Sequence, residues 1–417
     1  MAQTLANADA IMKDDYVGPI IEELNNRTYL VDQLERDSDH IDHTGRRAVV
    51  PVHKNRNRGR GSTADAGQLP VAGQQAYLDA IVLIRYHYYA VDISDASIEA
   101  SASNDGAFLS TLEAETKGVA VDMRKDINRQ AFGDGTGLLG NVTSASGQNI
   151  TMTNAIDTQY VRIGDTVDLV VKSTGAVSAG GTGLVVTGRN TTTGVITVTG
   201  TITTAASVDT TYGLYITGNR NNEMDGLRNI TSTGRTLHSI DSTASGNQFW
   251  DANQTNVGTS VTATAVAGEA SFTNLADLVG QSGNGDVEVF LTTRGIRTGL
   301  ANTYTTQKRF NDSTAVDVHG GYSAIMVNEI PVIADDDCPK QWAFGFNKSA
   351  LKWFEQAGPG WLQSQGGDIF QLRQGGAGIA VGSWQAWFKW YVALGCVAPN
   401  RTGSLRFCTD TAVATNN

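Results

Sequence analysis

Apolar residues recur at spacings of three and four after Pro19, at Ile20, Ile21, Leu24, Leu30, Val31 and Leu34, which predicts an amphipathic helix from about 19 to 36 with proline at its first position. The pattern then changes from stripes to runs. Arg46 to Arg56 and Gln75 to Ile93 are two β-like stretches, the second holding IVLIRYHYYAVDI, dense in β-branched and aromatic side chains. Between them RGRGSTADAGQLPVAGQ is rich in glycine and small polar residues, so the two runs predict a long hairpin with a flexible tip. The helical period returns from about 106 to 131, where Phe108, Leu112, Val119, Met123 and Ile127 form one stripe, Asn104 or Asp105 offers an N-cap and Gly133 a stop. From about 138 to 222 short runs such as VDLVV, GLVVTG, GVITVTG and GLYITG alternate with Gly, Asn and Ser turns, which predicts a small all-β unit without a strict repeat. Further on, Leu275 to Val279 reads as a helix, and Val287 to Leu291, Ile330 to Ile333, Trp342 to Phe346 and Trp384 to Ala398 read as strands. Helices and strands mix without regular βαβ alternation, so the class is α+β.

Composition narrows the function. A chain of 417 residues with 40% hydrophobic side chains can bury real cores, and its net charge of −11 opposes wholesale coating of nucleic acid. Against that acidity, Arg46, Arg47, His53, Lys54, Arg56, Arg58 and Arg60 follow one another on the first hairpin strand and tip with no acid until Asp65. Such a segment is suited to acidic partners; a solvated loop is the simpler alternative. A hairpin this long has little core of its own, so another subunit is expected to cover its apolar positions. Cys338, Cys396 and Cys408 form no CxxC pair or disulfide framework and are expected as reduced, partly buried thiols. The N-terminus lacks a signal-peptide pattern and no apolar run is long enough to span a bilayer, so synthesis in a cytoplasm and no membrane partner are expected.

Chemistry-bearing motifs are scarce. The run Asp37, Asp39, His40, Asp42 and His43 lacks the spacing of a zinc enzyme or a calcium loop and reads as a solvated acidic turn. Phe132-Gly133-Asp134-Gly135-Thr136-Gly137 is followed by Leu138-Leu139 where a Walker loop needs Lys and Ser/Thr, so it reads as a turn. Asp335-Asp336-Asp337 reads as an acidic surface loop whose carboxylates converge poorly. The tryptophans from Trp342 to Trp390 fit a core better than a carbohydrate platform. No nucleophile, base and orienting acid stand in a known arrangement, so no catalytic residue, metal or cofactor is expected.

The order of these segments resembles the major capsid proteins of tailed bacteriophages, the Hong Kong ninety-seven type shell fold, across most of the chain. The resemblance is carried by Gln68-Leu69-Pro70 with Gly73, Val91-Asp92-Ile93-Ser94, Ile98-Glu99-Ala100-Ser101 and Gly133-Asp134-Gly135-Thr136-Gly137. It continues through Asp225-Gly226-Leu227-Arg228-Asn229-Ile230, Asn328-Glu329-Ile330-Pro331-Val332-Ile333 and Val392-Ala393-Leu394-Gly395-Cys396-Val397-Ala398-Pro399-Asn400. It implies an N-terminal arm at 1–45, an extended hairpin (E-loop) at 46–93, a spine helix and peripheral domain at 94–137, and an axial and peripheral α+β region at 223–417. In this family the segment like Asp225–Ile230 normally follows the turn within a few residues, so 138–222 is expected to be an inserted β-rich domain.

The implied function is non-enzymatic: self-assembly as hexamers and pentamers into an icosahedral virion capsid that encloses double-stranded DNA without sequence specificity. A portal, a separate scaffold protein and room for a decoration protein go with it. Scaffold is expected as a separate chain because only about 45 residues precede the hairpin. Assembly is expected to be noncovalent, since the Lys and Asn that cross-link some relatives have no matching positions here. For intersubunit contacts the candidates are Arg56, Arg58 and Arg60 on the hairpin against Glu113, Glu115 and Asp122 of the helix, or Asp32, Glu35 and Asp37 of the arm. An encapsulin nanocompartment shares this fold and stays open. A β-rich adhesin or tailspike glycosidase would explain 138–222 but not the long helix beside a basic hairpin.

Overall fold

The computed structural model describes residues 28–37, 46–96, 111–205, 211–283, 285–307, 316–318, 322–364, 367–374 and 380–410. Residues 19–27 of the first expected helix, the run 38–43 and the N-cap candidates Asn104 and Asp105 lie outside them. The arm contributes one short helix, α1 (Tyr29–Gln33), burying Tyr29, Leu30 and Val31. The expected helix does not reach 36. Arg36–Asp37 is a strand, β1, paired in parallel with Trp353 and Phe354, and the Trp353 indole donates to the Leu30 carbonyl at 3.0 Å. A long-range strand pairing has overridden the local helical period there.

The hairpin forms as expected from β2 (Arg47–Asn55) and β3 (Ala76–Leu83), antiparallel, with Ala48 opposite Val82 and His53 opposite Tyr77. Its second run, however, divides at Ile84. β4 (Arg85–Ser94) leaves the hairpin and pairs in another sheet. The long helix, α2 (Thr111–Phe132), buries Val119, Met123, Ile127, Ala131 and Phe132, the expected stripe. It stops where Gly133 donates to the Gln130 carbonyl at 2.9 Å. Next, the Asp134 carboxylate accepts from the Thr136 N–H at 3.1 Å while Gly135 and Gly137 take φ near +80°, a conformation that glycine adopts without a Cβ penalty.

Residues 138–216 close into a five-stranded antiparallel barrel, β5 (Leu138–Met152), β6 (Thr166–Val171), β7 (Leu184–Asn190), β8 (Val195–Ala205) and β9 (Tyr212–Ile216), joined in the circular order β5-β8-β7-β6-β9. The Val/Thr alternation explains it: Ile196, Val198 and Ile202 point inward with Val167, Leu169, Val186 and Leu214, while Thr199 and Thr201 face out. Closure leaves no strand edge unpaired, so a stretch so poor in charge needs no charged guards. A 3₁₀ turn at Ala155–Tyr160 comes after β5.

The remainder begins with α3 (Leu227–Ile230), a small ladder of β10 (Thr236–Leu237) and β11 (Ile240–Asp241), and β12 (Asn253–Asn256). Then come α4 (Glu269–Ser282), β13 (Val289–Thr292), α5 (Arg294–Gln307), β14 (Val316–Val318), β15 (Tyr322–Val327), β16 (Ile330–Ala334) and β17 (Ala343–Phe346). The chain closes with β18 (Leu351–Trp361), β19 (Gln371–Gln374), β20 (Ala380–Cys396) and β21 (Thr402–Arg406). A seven-stranded sheet runs β12-β21-β17-β13-β16-β15-β14, and Phe272, Leu275 and Val279 of α4 with Ile296 and Leu300 of α5 pack on Phe290, Val332 and Leu405. A second sheet runs β1-β18-β20-β19, with β4 also on β20. The chain divides into two units, one built from Tyr86–Lys125 and Ala357–Trp390, the other from Arg27–Arg85, Asp126–Gln356 and Tyr391–Asn417. In the first, Arg373 pairs with Asp92 and the Trp384 indole donates to Asp95.

In the second unit the acidic run at 335–337 is not a surface loop. Asp335 and Asp337 are buried, and the Asn128 amide of α2 donates to both, at 3.4 and 2.7 Å. The backbone turns there, with the Asp337 N–H on the Asp335 carboxylate at 2.9 Å, so the alternation assumed for an extended segment fails. Asp336 points elsewhere and receives both nitrogens of a forked contact from Arg294. The same loop meets the barrel: Gln159 donates to the Asp336 carbonyl at 3.1 Å and Tyr160 to that of Asp337 at 3.2 Å. Among the described residues no group of three or more His, Cys, Asp or Glu could hold a metal ion. All three cysteines are buried free thiols.

Candidate assembly surfaces

Two strands alone cannot cover both of their faces, and the hairpin shows the consequence. On the face made by Arg47, Pro51 and His53 opposite Leu83, Asp79 and Tyr77, Leu83 and Tyr77 stay exposed. The His53 ring lies beside Tyr77, 5.2 Å between centres. At the tip the segments 57–60 and 70–73 lie against each other so closely that a Cβ on Gly59 would fall 2.6 Å from the Gly73 nitrogen, and only glycines allow this. Asn57 braces the turn by accepting the Gly59 N–H at 2.7 Å. This closed tip presents Leu69 and Val71, 78% and 85% exposed, beside Arg56, Arg58 and Arg60. The three arginines are exposed and make no ion pair among the described residues.

The root of the hairpin is held by His238. Its carbonyl accepts the Ile81 N–H of β3 at 2.8 Å, and its ring Nε2 accepts the Cys396 N–H of β20 at 3.0 Å. That second bond puts the ring proton on Nδ1, 4.0 Å from an Asp225 carboxylate oxygen. Burial pulls the imidazole down to about 4, with Asp225 pulling the other way. Protonation would set an N–H against the Cys396 N–H. The folded value lies below the ordinary one, so the unfolded chain takes up the proton first as pH falls. The stabilisation is therefore complete above about pH 6.5 and is lost down to about 4, on the order of 3 kcal/mol in all. Asp157, whose carboxyl burial pushes up to about 6, works in the opposite sense below that pH. We expect urea unfolding of the unassembled chain at pH 4.5 and 7 to show a slope that His238→Gln flattens; an unchanged slope would remove His238 from the account.

The acidic candidates separate. Glu115 is exposed on α2, Asp122 is half-buried, and the Glu113 side chain lies outside the described residues. In the arm, Glu35 and Asp37 both contact Lys352 of the same chain at 3.3 Å, and Asp32 accepts from the Thr28 hydroxyl at 3.2 Å. The arm carboxylates are thus engaged internally, while the three arginines are not.

The sequence matches no family model and no curated relative. Solved structures do match it, end to end. A chain of the cyanophage A-1(L) capsid asymmetric unit is 13% identical, with a TM-score of 0.56 over 96% of this chain and 98% of that one. A chain of the capsid of the native GTA particle is 10% identical (TM-score 0.51, 98% and 100% covered), and one of Microbacterium phage Oxtober96 is 11% identical (0.51, 98% and 99%). The chain has the phage major capsid fold.

Within that capsid fold, sequence reasoning found the hairpin and its cations but missed what holds the root. His238 is a lone histidine between two very short strands, and its partners Ile81 and Cys396 lie far away along the chain. The structure marks the position by its backbone, since His238 and Ser239 both take positive φ, of 49° and 67°.

Proposed function

We propose that this protein is a structural shell subunit that assembles as hexamers and pentamers into an icosahedral capsid around double-stranded DNA, with no enzymatic role. The carrying observation is the end-to-end correspondence with the cyanophage capsid chain, in which nearly every residue of both chains takes part. The hairpin is the E-loop of this reading and straps a neighbouring subunit, because its exposed face, its apolar tip and its arginines need a cover that the described residues do not supply. The long helix acts as spine, the sheets with α4 and α5 as tile, and the barrel as an insertion at the turn after the spine. A portal and a separate scaffold protein are the partners that closure and filling require, and a decoration protein has the barrel as a surface to use. Assembly takes place in the host cytoplasm and the product is the virion. Electron microscopy of the protein produced with its neighbouring genes tests the reading: closed shells of uniform size support it, and monomers or open aggregates alone do not.

The tip arginines give a second test. Reversing Arg56, Arg58 and Arg60 to Glu is expected to block assembly, and added salt to weaken wild-type shells. Several partly exposed pairs together contribute on the order of a few kcal/mol per subunit, although each alone is worth under about 1. Reversal of the true acidic partners, with Glu115 first to be tried, should partly restore assembly. Normal assembly of the triple variant at low and high salt would make the basic run a solvated loop.

A further inference from the structure

Arg228 and Arg406 come together at a single indole, and Lys340, two residues before it in the chain, acts with Arg228 on the Asp157 carboxylate. The guanidinium carbons of Arg406 and Arg228 lie 4.8 and 5.6 Å from the centre of the Trp342 ring, which stacks on Phe344 at 5.6 Å. Arg228 comes from α3, Arg406 from the end of β21, and Lys340 and Trp342 from the segment between β16 and β17. Among the described residues their positive charge is only partly answered. Arg228 has Asp134 at 3.9 Å, beyond hydrogen-bond reach, and the polar partner of Arg406 is the neutral amide oxygen of Gln254 at 3.1 Å. Asp157 is the other carboxylate acting on Arg228 and Lys340; burial pushes its carboxyl up to about 6, so near pH 7 it answers part of their charge. Burial, then the charge of Arg228, pulls Arg406 below its ordinary range, the mark of two cations held together.

Three buried donors sit in the same cluster with no acceptor among the described residues: Nε of Arg228, Nε of Arg406 and Nε2 of Gln254. Buried donors are nearly always partnered, and water at such a place satisfies a donor without answering a charge. An oxyanion does both. The Arg228 side chain is 34% exposed, so the cluster opens to solvent.

We propose that Arg228, Lys340 and Arg406, backed by Trp342, form a binding site for a phosphate-type oxyanion. A planar carboxylate suits one guanidinium fork, whereas a tetrahedral phosphate accepts from several directions, and here the donors arrive from three elements. Inorganic phosphate and the phosphodiester of a nucleic-acid backbone share this chemistry. The site stands independently of the shell reading.

The test uses the unassembled full chain at constant ionic strength. Inorganic phosphate is titrated by calorimetry into the wild type, Arg406→Gln and Lys340→Gln, and a short DNA duplex is then added as competitor. The wild type is expected to bind phosphate, and each variant to bind about tenfold more weakly, the loss of one charge-assisted hydrogen bond. Displacement by the duplex assigns the site to a phosphodiester, and no displacement to the free anion. No binding, variants that bind like the wild type, or acetate competing as well as phosphate overturns the proposal. Lys340 is half-buried outside any strand, so Lys340→Gln decides the matter should Arg406→Gln fail to fold.

Discussion

Removing residues 57–74 is expected to leave a folded, soluble chain that no longer closes shells. The ladder of β2 and β3 ends at Asn55 opposite Ala76, so the deleted residues contribute no rung to it. The tip is braced mainly by itself, through Asn57 and the Gly59–Gly73 approach, and it exposes Leu69 and Val71. Its loss should therefore change the unfolding free energy of the monomer by less than about 1 kcal/mol, in the range of surface changes. In a shell the balance differs, because burying each large apolar side chain is worth about 1.5–3 kcal/mol and the contact repeats at every subunit. Denaturant melts of the deleted chain beside electron microscopy of its assembly reaction separate the two effects. Shells of normal size from the deletion would refute the strap.

Loss of the Arg129 guanidinium is expected to be strongly destabilising. Arg129 sits near the end of α2 and binds Asp126 at 2.9 Å and Glu223 at 2.6 Å, with both carboxylates well shielded from solvent. Glu223 belongs to the segment that leaves the barrel, so the pair ties the long helix to the barrel's exit. Burial pushes the Glu223 carboxyl up while Arg129 pulls it back, which makes the arginine the group that keeps it charged. Arg129→Met strands a buried carboxylate and should cost about 3–5 kcal/mol, seen as a lowered urea midpoint with an unchanged slope. Combining it with Glu223→Leu should recover part of that loss, since the stranded charge is then gone. A double variant no more stable than the single one would place the cost in packing rather than in charge.

Legibility followed the range of the forces. The stripe of Val119, Met123 and Ile127, the Val/Thr alternation of the barrel and the two runs of the hairpin were readable because neighbours along the chain set the period of each. The barrel was readable for a related reason: the composition changes abruptly at 138 and the strands close on themselves, with a core drawn from 139–216. The basic tip was readable as charge, as were the acidic candidates, but which of those acids are engaged within the chain was not.

Contacts between distant segments were decided by the tertiary structure alone. β1 exists because Trp353 and Phe354 receive it, and the run ending at Ile93 divides at Ile84 because β20 captures its second half. Asp335 and Asp337 converge because Asn128, more than two hundred residues earlier, lies where both can reach it. His238, Arg129 and the two arginines over Trp342 likewise acquire their roles from partners on other elements. A local pattern determines which face of an element is apolar. Which buried polar groups meet depends on how the elements stack, and in this chain that is where the root of the hairpin, the tie to the barrel and the oxyanion site arise.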